Sequence, residues 1–233
     1  VSNIINRVQA LIAKAESSPF PAEADTFMAK AQQLINDHAI DQARLNGADP
    51  GSIGHETIDM QGTYTKERSM VWHAAANTNR CHALTLSQRG SSKVLSITLV
   101  GRKNDRDLVK LLAASLEVQA IRRLDDLDPN RTHESAVVQR RSFLRGFAVE
   151  VADRLQRSGH SQAVVGESAE KALVLAANAV NDYVSDNFDV HVGRRSSVRH
   201  DGMAFSRGRQ AGASADVGAS RVGGTRRSLP NGS

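Results

Sequence analysis

Apolar residues at the start of the chain recur with the period of one helix face. Ile4, Ile5, Val8, Leu11, Ile12 and Ala15 keep the i, i+3, i+4, i+7 spacing, and Ser2 stands where an N-cap belongs. Pro19 and Pro21 interrupt this pattern, since proline inside a helix loses a hydrogen bond and clashes with the preceding turn but is tolerated at a first helical position. A second helix is predicted over residues 21–38, burying Ala24, Phe27, Met28, Ala31, Leu34 and Ile35, and a short third over 41–45. The result is an N-terminal helical hairpin domain over 1–46, closed by the turn-rich stretch Gly47-Ala48-Asp49-Pro50-Gly51.

Beyond that turn the pattern changes. Residues 56–60 read as a short strand and 68–79 as a helix carrying Met70, Val71, Ala74 and Ala75. Alternating apolar and polar positions over 82–88 and 93–100 flank Arg89-Gly90-Ser91-Ser92, which predicts a β-hairpin. Asn104 or Asp105 is expected to cap a long helix to residue 126, with Leu108, Leu111, Leu112, Leu116, Ile121 and Leu124 facing inward. Helices are also predicted over 134–157, through Val137, Leu144, Phe147, Val151 and Leu155, and over 168–186, through Leu173, Leu175, Ala176, Val180 and Val184. A last helix over 200–216 carries Gly202, Gly208 and Gly212, each costing about 1 kcal/mol relative to alanine. The fold class expected is α+β, predominantly helical. Its main domain spans 55–216 and holds a small antiparallel sheet built on the hairpin 82–100, with a flexible basic tail over 217–233.

Composition supports packed helices. The 233 residues are 40% hydrophobic but only 4% aromatic, so Leu, Ile, Val and Ala must build the core around Trp72, Tyr64 and Tyr183. Cys81 is the sole cysteine and has no intramolecular disulfide partner, which fits a reducing compartment. No apolar run approaches the length of a membrane-spanning helix, so a cytoplasmic, membrane-free protein is expected. The charge is unevenly spread. From residue 190 onward Arg194, Arg195, Arg199, Arg207, Arg209, Arg221, Arg226 and Arg227 face only Asp201 and Asp216, which more than accounts for the net charge of +5. That segment reads either as a solvated tail or as a surface for nucleic acid or an acidic protein face.

Candidate chemistry is sparse. His73, Cys81 and His82 are metal-capable neighbours, yet a structural zinc site needs four ligands, and ordinary histidines beside a semi-buried cysteine are the expected reading. His133-Glu134 lacks the second histidine of a zinc-protease motif. Gly101-Arg102-Lys103-Asn104-Asp105 lies between a strand and a helix but lacks a P-loop's glycines and its Gly-Lys-Ser/Thr ending, so it is expected to be a plain connection. No G-x-S-x-G elbow occurs, and no cofactor or catalytic residue is assigned. More informative is Arg140-Arg141-Ser142-Phe143-Leu144-Arg145-Gly146-Phe147. Arg141 and Arg145 share a helix face that could meet phosphates or carboxylates, although ion pairs inside the fold are the simpler expectation. Gly146 within a helix implies that another backbone packs against it. Gly208 and Gly212, four apart, point to the same kind of close approach.

The opening Ile4-Ile5-Asn6-Arg7-Val8-Gln9-Ala10-Leu11-Ile12-Ala13-Lys14-Ala15-Glu16-Ser17, with Glu23-Ala24 and Ala29-Lys30-Ala31-Gln32-Gln33-Leu34-Ile35, resembles the DUF2786 family. Further on, Leu99 to Asp105, Arg141 to Phe147, Ala172 to Leu175 and Gly208 to Gly212 resemble the region that commonly follows that domain in actinobacterial and phage proteins. The whole chain is similar to the recombination directionality factors of temperate Streptomyces phages that use a large serine integrase. That resemblance implies a protein without strand-cleaving activity that binds the integrase, promotes attL × attR excision over attP × attB integration, and meets DNA indirectly. Arg140, Arg141, Phe143, Arg145, Arg207 and Arg209 are then candidates for partner binding. Arg194, Arg195, Arg199, Arg226 and Arg227 would lie near nucleic acid. Two other readings stand beside it: a direct DNA- or RNA-binding protein using the C-terminal arginines, and a metal-dependent hydrolase built on His73, Cys81 and His82.

Overall fold

The computed structural model describes residues 2–20, 23, 26, 27, 30, 34, 52–91, 93–128, 132–162, 167–191 and 199–217. Helix α1 (Ser2–Ser17) follows the predicted stripe. Val8 is fully buried, and Ile4 and Leu11 pack beside it, as do Phe27 and Leu34 from the following helical positions. The Lys14 ammonium lies 5.9 Å from the centre of the Phe27 ring. The rest of the predicted 21–38 helix, the helix over 41–45 and the turn at 47–51 lie outside the described residues, as does the tail beyond 217.

Strand β1 (Ile53–Asp59) enters a three-stranded antiparallel sheet with β2 (His82–Ser87) and β3 (Val94–Arg102), in the order β1-β3-β2. Its register aligns Thr57 with Thr98 and Leu84 with Thr98, and a bulge falls between Leu86 and Ser87. Side chains alternate across the pleat, so Ile58, Ala83, Ile97 and Leu99 form one buried face. Against that core lie α2 (Thr65–Thr78), which brings the fully buried Trp72, and α3 (Lys103–Arg122). Helix α5 (Glu167–Asn187) covers the other face of the sheet. There the His55 Nδ1 lies 3.0 Å from the Tyr183 hydroxyl, and Phe188 meets the His55 ring edge-on at 5.2 Å. Predominantly helical α+β architecture is therefore what the chain adopts.

Several expectations need correction. Helix α3 starts at Lys103 directly from β3, with Arg102 extended at its N-cap and no side-chain cap, while Asp105 pairs with Arg80 at 2.6 Å instead. The helix ends at Arg122 rather than 126. Leu108 is 50% exposed, not inward, because the buried stripe runs through Val109, Ala113, Leu116 and Ala120 and also takes in Lys110 and Glu117. Val137 is 48% exposed at the start of α4 (Ala136–Gln162), where Ser135 accepts a hydrogen bond from the Val138 amide.

Buried charges stitch these layers together. Arg68 of α2 and Glu117 of α3, 1% and 0% exposed, meet at 3.0 Å, and the same guanidinium donates to the Gln61 and Thr63 carbonyls. Lys110 reaches Glu56 of β1 at 2.6 Å and Asp107 at 2.8 Å. Each charge has its counterpart, the condition under which burial is tolerable.

Helix α6 (Gly202–Ala213) forms the largest helix–helix contact in the molecule, against α4. Gly146 and Gly208 make it possible. A Cβ on Gly146 would run into the Phe205 carbonyl, and one on Gly208 would sit 2.9 Å from the Phe147 amide nitrogen. Both ends of α6 are fastened. Asp201 caps it by accepting from the Ala204 amide at 2.8 Å, while its own amide donates to the buried Ser142 hydroxyl at 2.9 Å. At the far end Arg154 donates to the Gly212 and Ala215 carbonyls, both at 2.7 Å, and Gln119 exchanges hydrogen bonds with the Asp216 backbone.

Candidate partner-binding groove

Where the C-terminal end of α3 meets α4 and α6, a surface groove of about 440 Å³ opens. Its apolar lining is Phe143 of α4, Leu127 of the turn after α3 and Ala211 of α6; Arg123, Asp126, Arg207, Gln210 and Ser214 supply its polar groups. The elements make this shape for a simple reason. Gly146, Gly208 and Gly212 let α6 sink against α4, so the side chains on either side of the contact stand above it as walls.

The sequence candidates separate clearly. Phe143 and Arg207, far apart in the chain, come together in the groove, with Phe143 2% exposed as part of its base. Arg145 does not reach it: its guanidinium pairs with the buried Glu67 of α2 at 2.7 Å. Arg209 points to the opposite side of α6, bound to Glu150 at 2.6 Å and near Asp153 at 3.5 Å. Both arginines therefore serve the fold, as the simpler expectation had it for Arg145. Arg140 is exposed on α4, and Arg141 is half-buried with its Nε lacking a hydrogen-bond partner among the described residues. Arg199 lies 3.5 Å from Glu134. Arg194, Arg195, Arg226 and Arg227 fall outside the described residues.

Arg207 differs from its neighbours. It is half-buried, yet among the described residues no hydrogen bond or ion pair engages it. Arg123 across the groove has only a long contact, 3.7 Å, to the exposed Asp126. Asp125 and Asp128 of the same turn are exposed as well, so the groove's surroundings carry both signs of charge. Arg123, Asp126, Leu127, Gln210 and Ser214 were not singled out from the sequence. Nothing in their local spacing marks them, since only tertiary packing assembles the groove.

The histidine and cysteine cluster behaves differently from a reactive centre. Burial pushes the Cys81 thiol up to about 12, Asp105 adds to the shift, and Arg106 and Arg80 offset part of it. The thiol is thus protonated at neutral pH and a poor nucleophile. Burial, followed by the positive charge of His82, holds the His73 imidazole below its usual value. Among the described residues no three His, Cys, Asp or Glu side chains are grouped to hold a metal ion, and no helix is long and apolar enough to cross a membrane.

No curated protein and no solved structure matches the chain. Residues 3–42, which include α1 and its buried Val8, match the model of a family described as a protein of unknown function, DUF2786.

Proposed function

We propose that the chain is a non-catalytic directionality factor that docks on a large serine integrase and turns it from attP × attB integration to attL × attR excision. The observation that supports a docking role is the half-buried, unpaired Arg207 beside an apolar groove base, on a helix fastened at both ends. A guanidinium partly withdrawn from water has lost hydration without gaining a counter-charge, and a partner's carboxylate would restore the balance. Direct nucleic-acid binding has less support at this surface, because Asp125, Asp126 and Asp128 would repel a phosphate backbone.

The mechanism is a population shift. An integrase tetramer with two arrangements on its sites responds to a factor only insofar as the factor binds them with different free energies. A difference of about 3 kcal/mol changes their ratio about a hundredfold. A firmly held α6 suits this task, since it discriminates between partner shapes instead of adapting to both.

Recombination in vitro between attL and attR, with matched integrase and with or without this protein, tests the reading. Excision product is expected only when the protein is present, together with suppression of attP × attB joining. Equal excision in both reactions would overturn it.

A further inference from the structure

The groove's chemistry also specifies what occupies it. We infer that it receives a protein segment bearing a carboxylate beside a large apolar side chain, the carboxylate engaging Arg207 and Arg123 and the apolar group resting on Phe143, Leu127 and Ala211. This rests on the docking role proposed above and adds the chemistry of the occupant.

Four observations carry it. Arg207 is the groove cation left without a counter-ion among the described residues, whereas Arg145, Arg154 and Arg209, on the same pair of helices, are each engaged. The planar guanidinium fork matches a carboxylate bidentately. Second, the base is apolar while the charges stand at its sides, the division expected of an anchor pocket with a polar rim. Third, at about 440 Å³ the groove is large enough for side chains and too small to be a whole interface, so it takes the anchoring part of a wider contact. Fourth, the chain's own following segment is a poor occupant: residues 218–233 contain Arg221, Arg226 and Arg227 and no acidic residue, so they would be repelled.

The test is binding of full-length protein to purified matched integrase without DNA, by calorimetry, for the wild type and for Arg207→Glu, Arg207→Gln and Arg123→Glu. Arg89→Glu, in the exposed hairpin turn, is the control. The glutamate variants are expected to weaken binding about tenfold or more, Arg207→Gln less, and Arg89→Glu not at all, with near-ultraviolet circular dichroism unchanged. Reversing one integrase Asp or Glu to Arg should restore binding by Arg207→Glu. Wild-type affinity in all three groove variants overturns this inference and leaves the docking role standing. If the wild type itself does not bind integrase, both fall. If the variants instead lose only salt-sensitive binding to bare attL duplex, the occupant is nucleic acid and the inference is overturned. Arg207 and Arg123 come from different helices, so misfolding of one variant leaves the other to decide.

Discussion

Arg145 and Arg207 are the same residue type on two helices packed against each other, and their surroundings give them opposite roles. Removing Arg145 strands Glu67 as an uncompensated buried charge, so Arg145→Ala should cost about 3–5 kcal/mol in denaturant unfolding. Arg207→Ala removes no partner and should change stability by less than about 0.5 kcal/mol. The pH dependence follows from single residues too. His73 takes up a proton more readily once unfolded, so its contribution is present above 6.5 and lost as the pH falls below that value. At Asp107 burial works upward, but hydrogen bonds and charge from Lys103 and Lys110 prevail and hold it below 3.8, extending the loss toward stronger acid. Cys81 gives the opposite slope. Its unfolded thiol ionises from about 9.0 and its folded one only near 12, so stability declines as the pH rises between those values. Melting temperature against pH should show both limbs, and Cys81→Ala should flatten the alkaline one.

At the scale of elements, the joint between α4 and α6 depends on absent side chains. Gly146→Ala or Gly208→Ala would drive a methyl group into an opposing backbone, which cannot yield as a flexible side chain would. Destabilisation of about 1–3 kcal/mol or more is expected for each, read as a lowered melting temperature. The need for a close approach was legible from glycines set inside helical patterns; the identity of the approaching helix was not. The hairpin was equally legible, because alternation over 82–88 and 93–100 leaves one apolar face. Helix α3 was harder. Periodicity treats Lys110, Asp107 and Glu117 as solvent-facing, yet their partners arrive from Glu56, Lys103 and Arg68, so polar residues occupy the inward stripe and Leu108 is left outside. The start of α3 was misread because Asp105 looks like a cap when its actual partner, Arg80, is invisible in local sequence.

Across the whole molecule, distant segments meet in one core. Val8 from the DUF2786-like segment shares it with Ala204 and Ala215 from the other end. The groove likewise draws Arg123, Phe143 and Arg207 from three helical regions, which explains why only two of these three stood out in the sequence. The C-terminal arginines looked separable as a basic appendage, but those at 207 and 209 belong to a helix bolted to the main body. Truncation after residue 190 should therefore abolish cooperative thermal unfolding rather than merely trim a nucleic-acid contact, and calorimetry would register the lost transition. The same arrangement bears on synthesis. Helix α4 leaves the ribosome well before α6, with the notch around Gly146 and the rings of Phe143 and Phe147 still awaiting their cover. Until α6 emerges, the nascent chain displays an apolar seam to chaperones and proteases, so a message broken or stalled upstream of Asp201 yields a product marked for removal instead of a partial factor competing for the same partner.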